Sequence, residues 1–439
     1  MGQPLTIAVV GLGKIGLPVA AQYASKGHRV VGADASPKVI ESVNAGLSHI
    51  LGEPLLAERV SEAVSAGLLR ATTNTAAAVR EAEVVVVLVP LLVSADGTAD
   101  FRTIDAVTDE IGRSIRAGTL VLYETTVPLG TTRNRFGPAL ARRSGLRLTE
   151  NLFLAFSPER VSSGQIFRDL ATYPKIVGGV DPESTRRAAA FYSRVLDAPI
   201  KQVDEVETAE YSKLAETTYR FVNIALADEL AIFGRERGVN VSQAFAAANS
   251  QPYSHIHQPG IGIGGHCIPV YPQFLLQGAS NDQLSLIRKA KQVDEAMVDV
   301  YVRWLADVLG GLEGRRILIL GVSYRPNVKE TAFSTAFPLT EALTIIGAHP
   351  VVYDPLFSAD ELRALGFDPI DPTTDSATAD AVVVQAFHRE FEDLNWGSFN
   401  GLRAVIDARG ALTSDSFVGT AVAFMSLGGA TTARAAPGK

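Results

Sequence analysis

The stretch GIGIGGHCIPVYP holds Cys267, the only cysteine in 439 residues. Gly260, Gly262, Gly264 and Gly265 precede it, and Pro269 and Pro272 follow. A lone cysteine is commonly a small buried hydrophobe. This one lacks a periodic apolar setting, since its neighbours are glycines, His266 and prolines. Glycines let a backbone approach a ligand closely, and prolines hold the shape of a loop. A thiol in such a loop becomes a nucleophile where cations or backbone N–H groups favour the thiolate. Upstream, YSKLAETTYR places Lys213, Thr217 and Arg220 at i, i+4 and i+7, on one face of a helix. Spacing alone leaves a solvated, salt-bridged face open as the plainer reading. FSPERVSSG offers Glu159, either as a working carboxylate or as a local cap or bridge.

A second motif gives the thiol a context. VVGLGKIG sets Gly11, Gly13 and Gly16 in G-x-G-x-x-G spacing, after an apolar strand and at the start of a helix. Gly11 permits the tight turn, Gly13 lets the backbone approach a pyrophosphate, and Gly16 lets helix and sheet pack closely. The next strand ends in Asp34, placed to accept from a ribose 2′-hydroxyl. A carboxylate there repels a 2′-phosphate and favours NAD over NADP. Pro90 and ETTVPLGTT lie just past strand ends, where ligands of such sheets bind. Thr125, Thr126 and Thr131 are placed either to donate hydroxyls to a cofactor or to serve as turn residues. Beside a nicotinamide, a cysteine adds to an aldehyde. The resulting thiohemiacetal loses hydride to leave a thioester, which water releases as a carboxylate.

These groups need rigid elements. TIAVVGLG, HRVVGAD, AEVVVVLVP, GTLVLYETT and KIVGGV read as strands, and their near-continuous apolar character predicts a parallel sheet covered on both faces. LPVAAQYASKG and DAVTDEIGRSIRAG read as helices ending at glycine. From Glu207 to Gly238 runs a long helical pattern whose second half, NIALADELAIF, suits either core packing or a dimer interface. Strand patterns then restart with RRILILGVSYRPN, HPVVYDP, ADAVVVQAF and RAVIDARG. The fold class is α/β, with two Rossmann-like doubly wound domains joined by a long central helix within a helical dimerisation domain.

Composition narrows the partners. A formal net charge of −7 without basic clusters argues against nucleic acid. With one cysteine an internal disulfide is impossible, which points to a reducing compartment. The opening segment lacks a basic stretch followed by an apolar one, so no signal peptide is expected. No apolar run reaches the roughly 18 residues of a membrane span, so a cytoplasmic protein without a membrane partner is expected. No cluster of His, Cys and carboxylates has metal-ligand spacing, so no metal is expected.

The order of these pieces resembles the UDP-glucose/GDP-mannose dehydrogenase family over the chain to about residue 415. GLGKIGLPVA, ETTVPLGTT, FSPERVSSG, AEYSKLAETTYRFVNIALADEL, PGIGIGGHCIPVYP, ILGVSYRPNVKET and VVYDP carry the likeness. The family oxidises the C6 alcohol of a nucleotide sugar to a carboxylate with two NAD. SPERV, R-x-x-NIAL and PG-x-G-x-GGHCIP are similar to the branch acting on UDP-N-acetylhexosamines, UDP-ManNAc or UDP-GlcNAc. The UDP-glucose branch carries PEFL-x-EG and GGSC.

The resemblance implies Cys267 as nucleophile, Lys213 as the cation steadying developing oxyanions, and Glu159 in acid–base work on the hydrolysing water. Thr126 would lie near nicotinamide and water, and Thr217 stands where asparagine is usual. The cofactor-facing set is then Gly11, Gly13, Lys14, Ile15, Gly16, Asp34, Pro90, Thr126 and Glu159. The substrate-facing set is Arg160, Lys213, Arg220, His257, Gly264, Gly265, Tyr324, Arg325 and Arg409.

The sequence departs from the family's pattern at Tyr271 (usually aspartate), Ser163 (glutamate), Ala332 (arginine) and Tyr253 (an arginine presented across the dimer), with His255 and His257 nearby. Domain boundaries are expected at residues 1–205 (NAD-binding), 206–305 (central helical domain with the Gly/Cys loop), 306–425 (UDP-sugar-binding) and 426–439 (a disordered tail). The alternatives are a UDP-glucose 6-dehydrogenase, a β-hydroxyacid dehydrogenase needing no cysteine, and a degenerate nucleotide-sugar-binding protein.

Overall fold

A computed structural model describes residues 3–94, 97–373 and 378–429. The chain divides into two compact units, residues 1–216 with 273–278, and residues 217–272 with 279–439. The division falls inside the helix Val206–Arg235. The helix Ser285–Leu309 buries Met297, Tyr301, Leu305 and Leu309 in the core that also holds Ile317, Ile319, Leu339 and Ile406. Apolar burial thus joins this helix to the second sheet.

The first unit is built on eight strands. They are β1 (Thr6–Val10), β2 (Arg29–Ala33), β3 (Leu69–Thr72), β4 (Val84–Val87), β7 (Leu120–Tyr123), β8 (Phe153–Phe156), β9 (Lys175–Gly179) and β10 (Ile200–Gln202). The short pair β5 (Leu92–Val93) and β6 (Ala99–Asp100) forms a separate hairpin. The order across the sheet is β10-β9-β8-β7-β4-β1-β2-β3. Alternate residues enter opposite cores: Ile7, Val9, Val84 and Val86 on one face, Ala8, Val10, Val85 and Val87 on the other. Burial of both faces explains the unbroken apolar runs. The edge strands β3 and β10 have only part of that burial, and their mixed sequences LRAT and IKQ gave no strand pattern. The sheet is not wholly parallel: β9 runs antiparallel to β8, pairing Gly178 with Phe156 and Gly179 with Ala155.

The second unit carries a parallel sheet ordered β12-β11-β13-β14-β15. Its strands are β11 (Arg316–Leu320), β12 (His349–Tyr353), β13 (Ala381–Val384), β14 (Ala404–Asp407) and β15 (Ala423–Ser426). Ala423–Ser426 pairs in register with Ala404–Asp407. Of the expected disordered tail, residues 430–439 lie outside the described residues.

The two sheets share one device. Gly11 follows β1 with φ +93° and donates to the Ala33 carbonyl, while Asp34 beyond β2 accepts from Leu12 N. Gly321 follows β11 with φ +84° and donates to the Tyr353 carbonyl, while Asp354 beyond β12 accepts from Val322 N. The copies differ in what remains available. Asp354 is fully buried and also accepts from Ser323, Leu356 and His388, so its carboxylate is committed to the protein. Asp34 remains partly exposed.

Candidate active site

In the first unit the strand order reverses between β1 and β4, the crevice where doubly wound sheets bind nucleotides. The three glycines of the β1 loop have separate reasons. A Cβ on Gly11 would meet the Leu88 carbonyl at 3.0 Å, and one on Gly16 would meet the Gly11 carbonyl oxygen at 1.8 Å. A Cβ on Gly13 would meet nothing within 4 Å. Among the described residues no packing requires glycine at 13. Lys14 is exposed and Ile15 half-buried. Ile15 caps the helix Gly16–Ser25 without a side-chain hydrogen bond, and no acid lies in the first turn. Its N-terminal N–H groups and dipole therefore face an anion without competition from a carboxylate. Asp34 spends one lone pair of Oδ2 on Leu12 N at 2.9 Å and one of Oδ1 on Ser36 N at 2.9 Å, keeping acceptor capacity for a ribose hydroxyl. These residues fit NAD.

Pro90 is exposed just past β4. The threonines after β7 divide. Thr125 donates to the Val89 carbonyl at 2.7 Å and Thr131 to the Pro128 carbonyl at 2.6 Å, so both hydroxyls shape the turn. Thr126 is nearly buried and has neither role.

Glu159, beyond β8, lies in a buried charge network that sequence patterns did not reveal. Its Oε1 accepts from the backbone N–H of Arg160 at 2.6 Å and of Val161 at 3.2 Å. Its Oε2 accepts from Lys175 Nζ at 2.8 Å. Lys175 also donates to Glu124 Oε2 at 2.9 Å, and Glu124 Oε1 accepts from Tyr192 at 2.7 Å and Tyr23 at 3.3 Å. Burial pushes Glu124 up to about 7 against the pull of Lys175. Glu159 is also raised by burial, but Lys175 and the N–H groups outweigh this and hold it below its ordinary value. The sequence signal was slight: a lysine opening an apolar strand and a glutamate closing another. Arg160, expected at the substrate, donates from Nε to Glu216 at 2.8 Å.

The helix Val206–Arg235 carries Lys213, Thr217 and Arg220. Lys213 is half-buried, Thr217 buried and Arg220 exposed. Arg220 and His257 are brought together: burial first, then the Arg220 charge, lowers the His257 value. Asn223 fixes that loop by accepting from His257 N at 2.9 Å and donating to the His255 carbonyl at 2.9 Å.

In the second unit the glycine loop is strapped from three sides. Asp228 accepts from Gly260 N at 2.7 Å, and Asp294 from Ile263 N at 2.8 Å. Arg409 donates to the Gln385 carbonyl at 2.6 Å, the Gly262 carbonyl at 3.0 Å and Thr335 Oγ1 at 3.3 Å. Arg409 thus ties the loop at Gly262 to Gln385 and Thr335. Gly264 and Gly265 were expected to admit a sugar ring. A Cβ on Gly264 would sit 2.8 Å from Tyr324 Cβ, and one on Gly265, at φ +96°, 2.9 Å from the Tyr324 ring. Glycine at both positions also lets Tyr324 of the same chain pack against the loop. Gly265 N also donates to the Ala332 carbonyl at 2.8 Å. Arg325 has a buried Nε without a hydrogen-bond partner among the described residues. Cys267 is exposed and directs its thiol to the Tyr271 hydroxyl, while His266 pairs with Glu330. Asp228 and Asp294 were not foreseen, since acids inside helical patterns read as solvated faces.

Among the described residues no group of three or more His, Cys, Asp or Glu side chains could hold a metal ion, and no helix is long and apolar enough to cross a membrane.

The glycine fingerprint at a topological switch point, closed by Asp34, defines a dinucleotide-binding protein of the doubly wound class. Known proteins agree. The chain matches the UDP-glucose/GDP-mannose dehydrogenase family in its NAD binding domain at residues 5–196, its central domain at 207–296 and its UDP binding domain at 318–414. It is 34% identical to the UDP-N-acetyl-D-mannosamine dehydrogenase of Pyrococcus horikoshii over 412 residues, covering 92% of this chain and 95% of that one. A solved structure of the UDP-D-ManNAc dehydrogenase from Pyrococcus horikoshii superposes with TM-score 0.87 at 32% identity, over 96% of this chain and 99% of that one. A UDP-glucose dehydrogenase from Pyrobaculum islandicum does so with TM-score 0.87 at 27% identity, over 98% of both chains. The chain belongs to the UDP-glucose/GDP-mannose dehydrogenase family. It is an NAD-dependent nucleotide-sugar dehydrogenase with a UDP-binding domain.

Proposed function

We propose that the chain oxidises the C6 alcohol of a UDP-N-acetylhexosamine, UDP-ManNAc or UDP-GlcNAc, to the uronate through a thioester on Cys267. The exposed thiol on a glycine loop anchored by Asp228, Asp294 and Arg409 carries this reading. NAD, when bound, accepts the hydrides. After the first oxidation gives the aldehyde, the Cys267 thiolate adds to its carbonyl carbon, and Lys213 balances the oxyanion of the thiohemiacetal. Loss of the second hydride from C6 leaves the thioester. Glu159 takes a proton from the attacking water, and the carbon–sulfur bond breaks to give carboxylate and thiol. Arg160, Arg220, His257, Gly264, Gly265, Tyr324, Arg325 and Arg409 are assigned with Lys213 to the UDP-sugar, Thr126 to the nicotinamide end and Thr217 to the oxyanion region.

The relatives named for UDP-N-acetyl-D-mannosamine favour an acetamido sugar. The UDP-glucose dehydrogenase of equal fold similarity keeps UDP-glucose as the rival. Spectrophotometric NAD reduction with UDP-ManNAc, UDP-GlcNAc, UDP-glucose and GDP-mannose decides. Turnover of an acetamido sugar is expected. Turnover of UDP-glucose alone transfers the assignment, and no turnover with any favours a binding protein. Wild-type uronate formation by Cys267→Ala would remove the covalent route.

The reading includes a homodimer through the central helix, whose Leu226, Leu230 and Phe233 are exposed at i, i+4 and i+7. Light scattering should give two chains for the wild type and one for Leu230→Glu; a wild-type monomer removes this part. It also includes a cytoplasmic setting, where a single thiol stays reduced. Activity outside the cytosolic fraction would contradict that.

A further inference from the structure

We infer that Lys175 and Glu124 are positioning residues that fix Glu159 and set which of its oxygens meets the hydrolysing water. The inference rests on the role proposed above for Glu159. It begins from topology. In a parallel arrangement β9 would start at the opposite edge of the sheet. Because β9 runs antiparallel to β8, its first residue, Lys175, stands beside the carboxyl ends of β7 and β8, where Glu124 and Glu159 follow.

The hydrogen bonds then restrict the carboxylate. Each carboxylate oxygen accepts about two hydrogen bonds. Glu159 Oε1 already accepts two, from Arg160 N and Val161 N at 2.6 and 3.2 Å. Oε2 accepts from Lys175 at 2.8 Å, and the Glu124 side chain also hydrogen-bonds the Glu159 carboxylate. Oε1 is thus filled by backbone N–H groups, and the oxygen left to turn to a water proton is Oε2, the one that Lys175 holds. Glu159 is also the member of the trio with access to solvent: side-chain exposure is 12% for Glu159, 6% for Lys175 and 0% for Glu124.

Glu124 competes for the same ammonium. Two carboxylates share one cation, so a charged Glu124 draws Lys175 away from Glu159 and a neutral one releases it. The titratable and charged groups facing the pair are Lys175, Tyr23 and Tyr192, with the Lys175 ammonium 5.0 Å from the Tyr192 ring centre. Arg160 next in the chain is turned to Glu216, and Asp169 is held by Arg168 and Ser162 N. Burial places Glu124 near neutrality, where this competition changes with pH.

The test is the acid limb of the pH profile of uronate formation. Lys175→Met should move that limb to higher pH by about one unit or more, because Glu159 loses its counter-charge. Lys175→Arg should largely restore it. Glu124→Gln keeps an acceptor for Tyr192 and Lys175 but does not ionise. Glu124 is already neutral where Glu159 titrates, so this variant should leave the limb in place and remove the change in activity through about pH 7, where Glu124 gains its charge. KM for NAD and UDP-sugar should stay within about twofold in both, as neither side chain is assigned a ligand contact. An unmoved limb in Lys175→Met with a lowered Tm, or a wild-type profile near pH 7 in Glu124→Gln, would overturn the inference. If Lys175→Met does not fold, Glu124→Gln and Lys175→Arg still carry the test. An unchanged kcat in Glu159→Gln would overturn the role of Glu159 itself, separately from any limb shift.

Discussion

The hydroxyl of Tyr271 stands 3.5 Å from Cys267 Sγ. The two residues are joined again through the backbone, where Tyr271 N donates to the Cys267 carbonyl at 3.0 Å. The side chain that replaces the family's usual aspartate thus still meets the thiol. Its chemistry is reversed. A carboxylate beside a thiolate repels it, whereas a phenol accepts from S–H and donates to the thiolate after ionisation.

This contact predicts an order of thiol reactivity. Alkylation of Cys267 by iodoacetamide at neutral pH, followed by mass spectrometry, should be fastest in the wild type, slower in Tyr271→Phe and slowest in Tyr271→Asp. The charged variant should fall about threefold or more. A faster reaction in Tyr271→Asp would show that the phenol does not support the thiolate.

The glycine fingerprint predicts two different defects from one added methyl group. Gly16→Ala puts its Cβ 1.8 Å from the Gly11 carbonyl oxygen and should cost about 3 kcal/mol or more, read as a lower Tm. Gly13→Ala meets no protein atom within 4 Å, so Tm should hold while the Kd for NAD rises about tenfold. Unchanged NAD affinity in Gly13→Ala would place the pyrophosphate elsewhere.

Asp228 predicts how stability follows pH. Burial pushes its carboxyl up to about 8, from an ordinary 3.8, with the nearby Asp294 adding to the rise and Gly260 N opposing it. Its Oδ2 has no partner. The folded chain then binds more protons than the unfolded one between about pH 4 and pH 8, so this group's contribution to stability falls as pH rises through that window. Asp228→Asn keeps an acceptor for Gly260 N and does not ionise. Its Tm should decline less across the window than the wild type's, and should exceed it at the alkaline end. Parallel Tm curves for the two proteins would refute the assignment.

Local signals carried the sequence reading well. G-x-G-x-x-G, Asp34, the apolar strands and the helix around Lys213 are each contained in a few dozen residues, and the physics that shapes them acts over that range. The sequence also singled out Cys267, because a thiol among glycines and prolines does not fit a core pattern. Tertiary structure decided what those residues meet. Tyr324, 59 or more positions away, lies against Gly264 and Gly265. Arg409 clamps Gly262 across 147 positions, and Lys175 reaches Glu124 across 51 through one reversed strand. Side-chain partners that distant leave no periodic trace in the chain. Burial, which raises Glu124 and Asp228, exists only once the sheets and helices have packed.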